Sequence, residues 1–325
     1  MEYRVLGRSG IQVSAFCLGT MMFGRWGNPD ADECIAMVDA ALDAGVNFVD
    51  TADVYDFGTS EEILGRALKG RRDDVVVATK FFNAMSDDPN HRGNSRRWVM
   101  RAVEDSLRRL GTDWIDLYQV HRPDPNTDID ETLGALSDLV HQGKVRAIGT
   151  STFPAHELVE AQWIAERRGR ERFVSEQPPY SMMVRGIERD VLPVCQKYGL
   201  GVMVWAPLNG GWLTGKYLGG RAPEGSRAAR EPDHFDFEGP VHERKLAIVE
   251  QLAKVAGDAG LALVDMAHAF VLAHPAVTSA IIGPRTLEQC REVLRGSGVR
   301  LTADVLEAID GIVPPGTDVN PADRG

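Results

Sequence analysis

The chain has 325 residues, a hydrophobic content of 43% and a formal net charge of -11 at pH 7. This composition is typical of a globular protein, and the length allows one barrel or two ordinary domains. The acidic balance argues against a nucleic-acid partner or an anionic membrane, because both require a basic surface.

Two further features bear on compartment and cofactor class. The N-terminal segment carries charges and lacks the apolar core of a signal peptide, and no apolar run is long enough to span a bilayer. The four cysteines are scattered without a C-x-x-C pair, and no Cys and His residues show zinc-like spacing. The sequence therefore predicts a cytoplasmic protein with reduced cysteines, no membrane contact and no metal.

Short β-rich apolar runs alternate with segments of helical periodicity along the chain. Residues 1–13 come first and predict a small N-terminal β-hairpin. Eight strands follow, and their strict alternation with helices predicts a parallel sheet with the helices outside it. Eight such units fit a closed (β/α)8 TIM barrel, so residues 1–325 are interpreted as a single α/β domain. The predicted strands are Val13–Gly19, Val46–Asp50, Asp74–Lys80, Trp114–His121, Val145–Ser151, Phe173–Gln177, Gly201–Ala206 and Val277–Gly283, and the clearest helices are Asp32–Ala44, Ser60–Lys69, Ser95–Leu110 and Ile129–His141.

Two predicted loops are longer than a simple connection requires. One loop, Phe81–Asn94, follows the third strand. The other, residues 207–240, follows the seventh strand and is rich in Gly, Arg, Pro and Asp. Long loops at this end of a barrel commonly carry binding residues. The last segment, residues 314–325, is predicted to be a loose tail.

Polar residues stand at the ends of three successive predicted strands. Asp50 ends the second strand with Tyr55 five residues later, Lys80 ends the third, and His121 ends the fourth. Because parallel strands present their carboxyl ends at one mouth of a barrel, these side chains are expected to converge there. A lysine cation would lower the pKa of a nearby tyrosine, an aspartate would orient the lysine, and a histidine would position a substrate oxygen. The placement predicts a proton-transfer site with Tyr55 as the acid.

Seven short segments in chain order, spread over nearly the whole chain, carry a family resemblance. They are Leu18-Gly19-Thr20, Asn47-Phe48-Val49-Asp50-Thr51-Ala52-Asp53-Val54-Tyr55, Ala78-Thr79-Lys80, Asp116-Leu117-Tyr118-Gln119-Val120-His121, Ile148-Gly149-Thr150-Ser151, Gln177 with Tyr180, and Ile282-Gly283-Pro284-Arg285. They resemble the aldo-keto reductase superfamily, whose catalytic Asp, Tyr, Lys and His fall here on Asp50, Tyr55, Lys80 and His121. The segments Pro207-Leu208-Asn209-Gly210-Gly211 and Leu213-Thr214-Gly215-Lys216-Tyr217 look closest to the bacterial branch related to potassium-channel β subunits.

The resemblance implies NADPH as the cofactor and the reduction of an aldehyde or ketone to an alcohol. The cofactor contacts that it implies are Gly19, Thr20, Asp50, Ser151, Gln177, Trp205, Pro207, Leu208, Gly210, Lys216, Arg227, Gly283, Arg285, Gln289 and Glu292. The predicted walls of the substrate pocket are aromatic-rich, which favours apolar carbonyl compounds. They are Met22, Phe23, Trp26, Phe81, Phe82 and Trp212.

Three positions sharpen the expected cofactor site. Arg285 opens the predicted helix Thr286–Leu294, and an arginine at a helix N-terminus is suited to the 2′-phosphate that distinguishes NADPH from NADH. The family usually has Asn where Thr152 and Val293 stand here, so one carboxamide contact and one adenine contact are expected to differ.

Other classes of protein fit the sequence less well. Gly210–Lys216 spells the start of a P-loop, but Tyr217 replaces the Ser or Thr that would hold magnesium. No G-x-G-x-x-G is present, so no Rossmann site is expected. The main alternative is a cofactor-bound regulatory or scaffold protein of the channel-subunit type, against which the intact acid argues. A sugar isomerase or aldolase would need a metal cluster or a Schiff-base lysine, for which Lys80 is the candidate.

Overall fold

A computed structural model describes residues 1–230 and 239–324. Its strands are β1 (Tyr3–Val5), β2 (Gln12–Ser14), β3 (Phe16–Gly19), β4 (Phe48–Asp50), β5 (Val76–Phe81), β6 (Ile115–Val120), β7 (Val145–Ser151), β8 (Ser175–Gln177), β9 (Gly201–Val204) and β10 (Val277–Ile282). Its helices are α1 (Ala31–Asp43), α2 (Thr59–Ala67), α3 (Arg96–Leu110), α4 (Ile129–His141), α5 (Ala155–Arg168), α6 (Val191–Tyr198), α7 (Arg227–Arg230), α8 (Pro240–Asp258), α9 (Leu263–Ala273), α10 (Leu287–Arg295) and α11 (Ala303–Ile312).

Strands β3 to β10 form a closed parallel barrel. Each strand pairs with its neighbour in the sequence, and β10 closes the ring by pairing with both β9 and β3. The remaining two strands, β1 and β2, form a separate antiparallel hairpin. The predicted TIM barrel with an N-terminal hairpin is therefore confirmed.

The outer helices begin and end where local side chains satisfy the backbone. Asp30 caps α1 by accepting from the backbone N–H groups of Asp32 and Glu33 at 3.0 and 3.1 Å. Ser95 caps α3, and Gly111 ends it in the left-handed conformation that glycine adopts without strain. Because these ends are fixed, each helix returns the chain to the bottom of the barrel for the next parallel strand.

The lower half of the barrel interior is filled by apolar side chains. The hairpin closes this end, because Leu6 and Val13 pack into the same buried cluster as the strand residues. Gly7 makes this possible: a Cβ there would lie 2.3 Å from the carbonyl oxygen of Val174. The strand residues of this apolar layer are Cys17, Phe48, Ala78, Leu117, Ala147, Met203 and Ile281.

Two sequence-based predictions about the chain ends need correction. The first predicted strand, Val13–Gly19, is two strands, because the chain turns at Ala15 and its two parts serve the hairpin and the barrel. Residues 314–324, which we call the C-terminal tail, are not loose. The backbone N–H of Val319 donates to Met183 at 2.9 Å, and Lys245 pairs with Asp323 at 2.6 Å. Gly325 lies outside the described residues.

The two long loops differ in what the structure records. Residues 82–94 contain no helix or strand, as predicted. Residues 207–240 include a 3-10 turn at Asn209–Thr214 and the short helix α7, while residues 231–238 lie outside the described part.

No helix in the described part of the chain is, by itself, long and apolar enough to cross a bilayer. Helices α8 and α9 reach the required length and composition only as a pair bent by 92°. All four cysteines are buried and unpaired, as predicted.

Candidate active site

A buried ion pair occupies the centre of the barrel mouth. Lys80, on β5, donates from Nζ to Oδ1 of Asp50, on β4, at 2.5 Å, and to the carbonyl oxygen of Thr51 at 2.9 Å. Neither charged side chain is more than 3% exposed. Burial by itself lowers the pKa of Lys80, but the charges of Asp50 and Tyr55 raise it above its usual value. The lysine therefore remains a cation inside the barrel.

The Tyr55 hydroxyl is held against this cation. Tyr55 lies in a 3-10 turn that follows β4, and Nζ of Lys80 donates to its hydroxyl oxygen at 3.1 Å. Burial raises the pKa of Tyr55, and the charge of Lys80 lowers it without fully offsetting the burial. Lys80 therefore lowers this pKa, as expected, but burial outweighs it and the net shift is upward. Tyr55 consequently carries its proton at neutral pH.

His121 completes the set of four side chains as a neutral imidazole. Its ring lies 6.0 Å from that of Tyr55, nearly perpendicular to it. Burial and the charges of Lys80 and Arg122 hold the pKa of His121 well below its usual value. The Asn83 side-chain amide donates to Nδ1 at 3.1 Å, so Nδ1 accepts and the ring proton is on Nε2. Asn83 thus sets the tautomer that has a donor available.

Two glutamine side chains orient Asp50. The sequence predicts no role for one of them, Gln119, and a cofactor contact for the other, Gln177. Gln119 on β6 and Gln177 on β8 donate their side-chain N–H groups to Oδ2 of Asp50 at 3.0 and 2.9 Å. The amide of Gln177, expected to bind a cofactor, also donates to Oε1 of Gln119 at 3.2 Å. Gln119 was missed, although it lies two residues before His121 and strand alternation places both on one face.

Backbone strain is concentrated at the same mouth. Every non-glycine residue with positive φ in the described part of the chain follows the carboxyl end of a barrel strand. Thr152, with φ of 58°, is a β-branched residue in a conformation that the family's usual Asn tolerates better. Such strain collects at functional sites, because surrounding contacts must hold it. The residues are Asp56, Phe57, Phe82, Thr152, Ala206 and Asn209.

Cations expected to bind phosphates gather beside the mouth. Burial lowers the pKa of Lys216, and the charges of Arg230, Arg285 and Arg227 lower it further. A bound anion would offset this repulsion between like charges. No ion pair joins Arg285 to Glu288 or to Glu292, all three of which the structure describes. Arg230 was not singled out from the sequence.

The other residues expected to bind a cofactor are placed as follows. Ser151 and Gln177 are register partners on β7 and β8, so their side chains lie side by side. Thr20 is fully buried, and its hydroxyl bonds to that of Ser60 on α2 at 2.7 Å, which removes its side chain from the mouth. Gln289 accepts from the backbone N–H of Arg285 at 3.0 Å. At the strand ends and the loop after β9 lie Gly19, Trp205, Pro207, Leu208, Gly210 and Gly283, and Glu292 is exposed on α10.

The predicted pocket walls need partial correction. Phe81 is fully buried between the barrel and its helices, with its ring centre 4.8 Å from that of Tyr118, because its neighbour Lys80 points inward. Phe23 is also fully buried in the outer core, and Trp212 packs against Tyr217. These three do not line an open pocket. The other three, Met22, Trp26 and Phe82, are accessible in loops that follow β3 and β5.

Comparisons with known proteins agree with this geometry. A sequence model of the Aldo/keto reductase family matches residues 15–314. The chain is 42% identical to the uncharacterized oxidoreductase YrpG of Bacillus subtilis, over 97% of this chain and 96% of that protein. It is 37% identical to a probable voltage-gated potassium channel subunit beta of Oryza sativa, over 96% and 97% of the two chains. It is 34% identical to the aldo-keto reductase YhdN of Bacillus subtilis, over 96% and 94%.

The fold and the site together define a class: a closed parallel barrel with a buried Asp–Lys ion pair, a tyrosine and a histidine at its mouth. The chain belongs to the aldo/keto reductase family. This family membership supports an oxidoreductase, and it confirms the resemblance drawn from the short sequence segments.

Proposed function

We propose that this protein reduces aldehyde or ketone carbonyls to alcohols with NADPH, and that Tyr55 is the general acid. The observation that carries the proposal is the continuous contact from Asp50 through Lys80 to the Tyr55 hydroxyl, with bonds of 2.5 and 3.1 Å. This arrangement joins a protonated phenol to a permanent cation at the barrel mouth. Two relatives named as reductases support it, YhdN and the versiconal hemiacetal acetate reductase of Aspergillus parasiticus.

The residues of the mouth fit a nicotinamide dinucleotide. Ser151 and Gln177 lie on adjacent strands, and their hydroxyl and amide oxygens could accept hydrogen bonds from a carboxamide, since their donor groups already bond within the protein. The cluster of Lys216, Arg227 and Arg285 suits a pyrophosphate and a 2′-phosphate, because it places several cations together. When bound, the reduced nicotinamide would supply the hydride for the carbonyl carbon.

The protein's own groups would handle the charge and the proton. The Tyr55 hydroxyl and the Nε2–H of His121 would donate hydrogen bonds to the carbonyl oxygen, stabilising the negative charge that develops on it. Tyr55 would then pass its proton to that oxygen, and the Lys80 cation would stabilise the tyrosinate left behind. Asp50, held by Gln119 and Gln177, would keep Lys80 in position. No metal is needed in this scheme, and the buried, unpaired cysteines suit a cytoplasmic location.

The alternative function is a cofactor-bound regulatory protein of the channel-subunit type with little turnover. The identity to the rice protein named as a channel subunit favours it. The intact acid and its neighbours favour the reductase, because a scaffold has no use for a tuned proton donor.

A steady-state assay with NADPH and 4-nitrobenzaldehyde separates the two functions. We expect wild-type turnover, and we expect Tyr55→Phe to reduce kcat by roughly 10²–10⁴-fold with the NADPH dissociation constant unchanged. Tyr3→Phe, on the exposed hairpin, is the matched control and should retain full activity. Near-normal turnover in Tyr55→Phe would refute the acid, whereas NADPH binding without wild-type turnover would favour the regulatory function.

A further inference from the structure

Arg122 is a cation at the barrel mouth with no role in the scheme above. It directly follows His121, and its guanidinium donates from an Nη atom to the carbonyl oxygen of His121 at 2.8 Å. The guanidinium carbon also lies 6.0 Å from the ring centre of Trp205, at the end of β9. Asn94 fixes the backbone by donating to the carbonyl oxygen of Arg122 at 3.0 Å. The side chain is therefore held between the end of β6 and the end of β9.

This cation has no carboxylate partner within residues 1–230 and 239–324. The nearest acidic residue in the chain, Asp124, is already bonded to Asn94, Asn126 and Thr127. The buried carboxyl group of Glu176 is bonded to the Thr150 hydroxyl and the Phe153 backbone. Most arginines of comparable burial in this molecule do have such partners, for example Arg185 with Glu188 and Arg109 with Glu61.

The charge of Arg122 reaches the reacting groups. Burial lowers the pKa of Arg122, so its charge is poorly hydrated. Burial and then the charges of Lys80 and Arg122 lower the pKa of His121, and Arg122 also opposes the upward shift of Tyr55. A poorly hydrated cation beside a substrate site is stabilised by an anion brought by the ligand, and the planar guanidinium fork matches a carboxylate.

We propose that Arg122 binds a carboxylate on the carbonyl substrate and makes this protein selective for aldehydes and ketones that carry one. The inference rests on the proposed carbonyl reduction and names its substrate class. It adds a charged end to the aromatic-rich pocket predicted from the sequence: the accessible walls Met22, Trp26 and Phe82 would contact the body of the substrate, and Arg122 its acidic end.

The test compares substrates that differ only in charge. The probes are 3- and 4-carboxybenzaldehyde, each paired with its methyl ester, and the measured quantity is the ratio of kcat/KM for the acid to that for the ester. The ratio is used because a loss of activity caused by movement of His121 would affect the acid and the ester equally and would cancel. We expect wild type to prefer the acid in at least one pair, and Arg122→Gln to lower that ratio roughly ten- to a hundredfold.

Two further variants interpret the result. Arg122→Lys keeps the charge but loses the planar guanidinium, so its acid-to-ester ratio should lie between those of wild type and Arg122→Gln. Lys69→Gln makes the same charge change at an exposed position after α2, at the opposite end of the barrel, and should leave the ratio unchanged. An unchanged ratio in Arg122→Gln, with both substrates slowed equally, would overturn the proposal and make Arg122 a positioning residue for His121.

A binding measurement keeps this proposal separate from the proposed reduction. The dissociation constant of 4-(hydroxymethyl)benzoate, measured by tryptophan fluorescence in the presence of NADP, should rise by a similar factor in Arg122→Gln, while that of its methyl ester should not. If no aldehyde is reduced but this difference appears, the carboxylate site stands and the reduction fails. If aldehydes are reduced and neither measurement shows a difference, the reduction stands and the carboxylate site is refuted.

Discussion

The barrel interior has two layers that follow opposite rules. The lower layer is apolar and is closed by Leu6 and Val13 of the hairpin, so every contact in it removes hydrocarbon from water. The upper layer holds a buried ion pair between Asp50 and Lys80, and each charge there costs free energy to desolvate. The same strands supply both layers, since Phe48 and Asp50 are two residues apart on β4.

This difference separates what stabilises the protein from what makes it reactive. The lower layer tolerates no charge because it offers no partner for one. The upper layer keeps its charges only because each has several partners: Lys80 bonds to Asp50, Thr51 and Tyr55, and Asp50 also accepts from two glutamine amides. The lower layer is therefore expected to control unfolding, and the upper layer turnover.

The largest expected effect is in the upper layer, with Lys80→Met. Activity should fall strongly, and the buried Asp50 left without its cation should destabilise the fold by about 3–5 kcal/mol. Because the Lys80 charge lowers the pKa of Tyr55, its loss should raise that pKa further. The high-pH fall in residual reduction, where Tyr55 loses its proton, should move to higher pH. The measurements are a pH–rate profile and urea unfolding.

The double variant Asp50→Asn/Lys80→Met is the control for this prediction. It removes both charges, so it should recover most of the stability without recovering activity. A pH profile identical to wild type in the single variant would instead mean that Lys80 only supports Asp50.

The complementary change in the lower layer is Phe48→Ala. Phe48 is fully buried, and its truncation should destabilise the protein by about 3–5 kcal/mol through lost burial and the cavity left behind. The specific activity of the protein that remains folded should stay close to that of wild type. Urea unfolding gives the first quantity and active-site titration the second. A loss of kcat per folded molecule would show that the two layers are not separable.

The smallest expected effect lies outside both layers, at Arg285. Hydrogen bonds to charged groups contribute about 1.5–3 kcal/mol, so Arg285→Ala should weaken NADPH binding roughly ten- to a hundredfold and NADH binding little. Dissociation constants for both cofactors by fluorescence quenching check this. Arg291→Ala, an exposed position on the same helix, is the matched control. Equal losses for both cofactors would mean that Arg285 supports the loop rather than binding the 2′-phosphate.

The order of elements and the four central residues could be predicted because they depend on local rules. Alternation of apolar strands and amphipathic helices identified all eight barrel strands, most of them within two residues at each end. Residues that end successive parallel strands must meet at one mouth of the barrel. The sequence therefore predicts that Asp50, Lys80 and His121 lie close together, as they do in the structure. Tyr55 could be placed at the same mouth because it comes only five residues after Asp50, which ends β4.

The partners of those residues could not be predicted in the same way. Asn83 orients His121 from a loop without regular structure, and nothing in its local sequence fixes that side chain. The pocket walls were assigned by residue type, and Phe81 shows why this fails: one position along a strand reverses the direction of a side chain. The sequence predicts a loose C-terminal tail, yet Asp323 pairs with Lys245 on α8.

The sequence by itself determined the barrel, the family and which residues stand at the mouth, because hydrophobic periodicity and strand order are properties of neighbouring positions. Only the tertiary structure decided the protonation states of Tyr55 and His121, and that the charge of Arg122 has no carboxylate partner among the described residues. The pKa of Tyr55 is raised because burial outweighs the Lys80 cation, and Arg122 lacks a carboxylate partner among the described residues because the acids near it are bonded elsewhere. Both depend on which groups lie close together in space and how much water they retain, and neither quantity can be read from spacing along the chain.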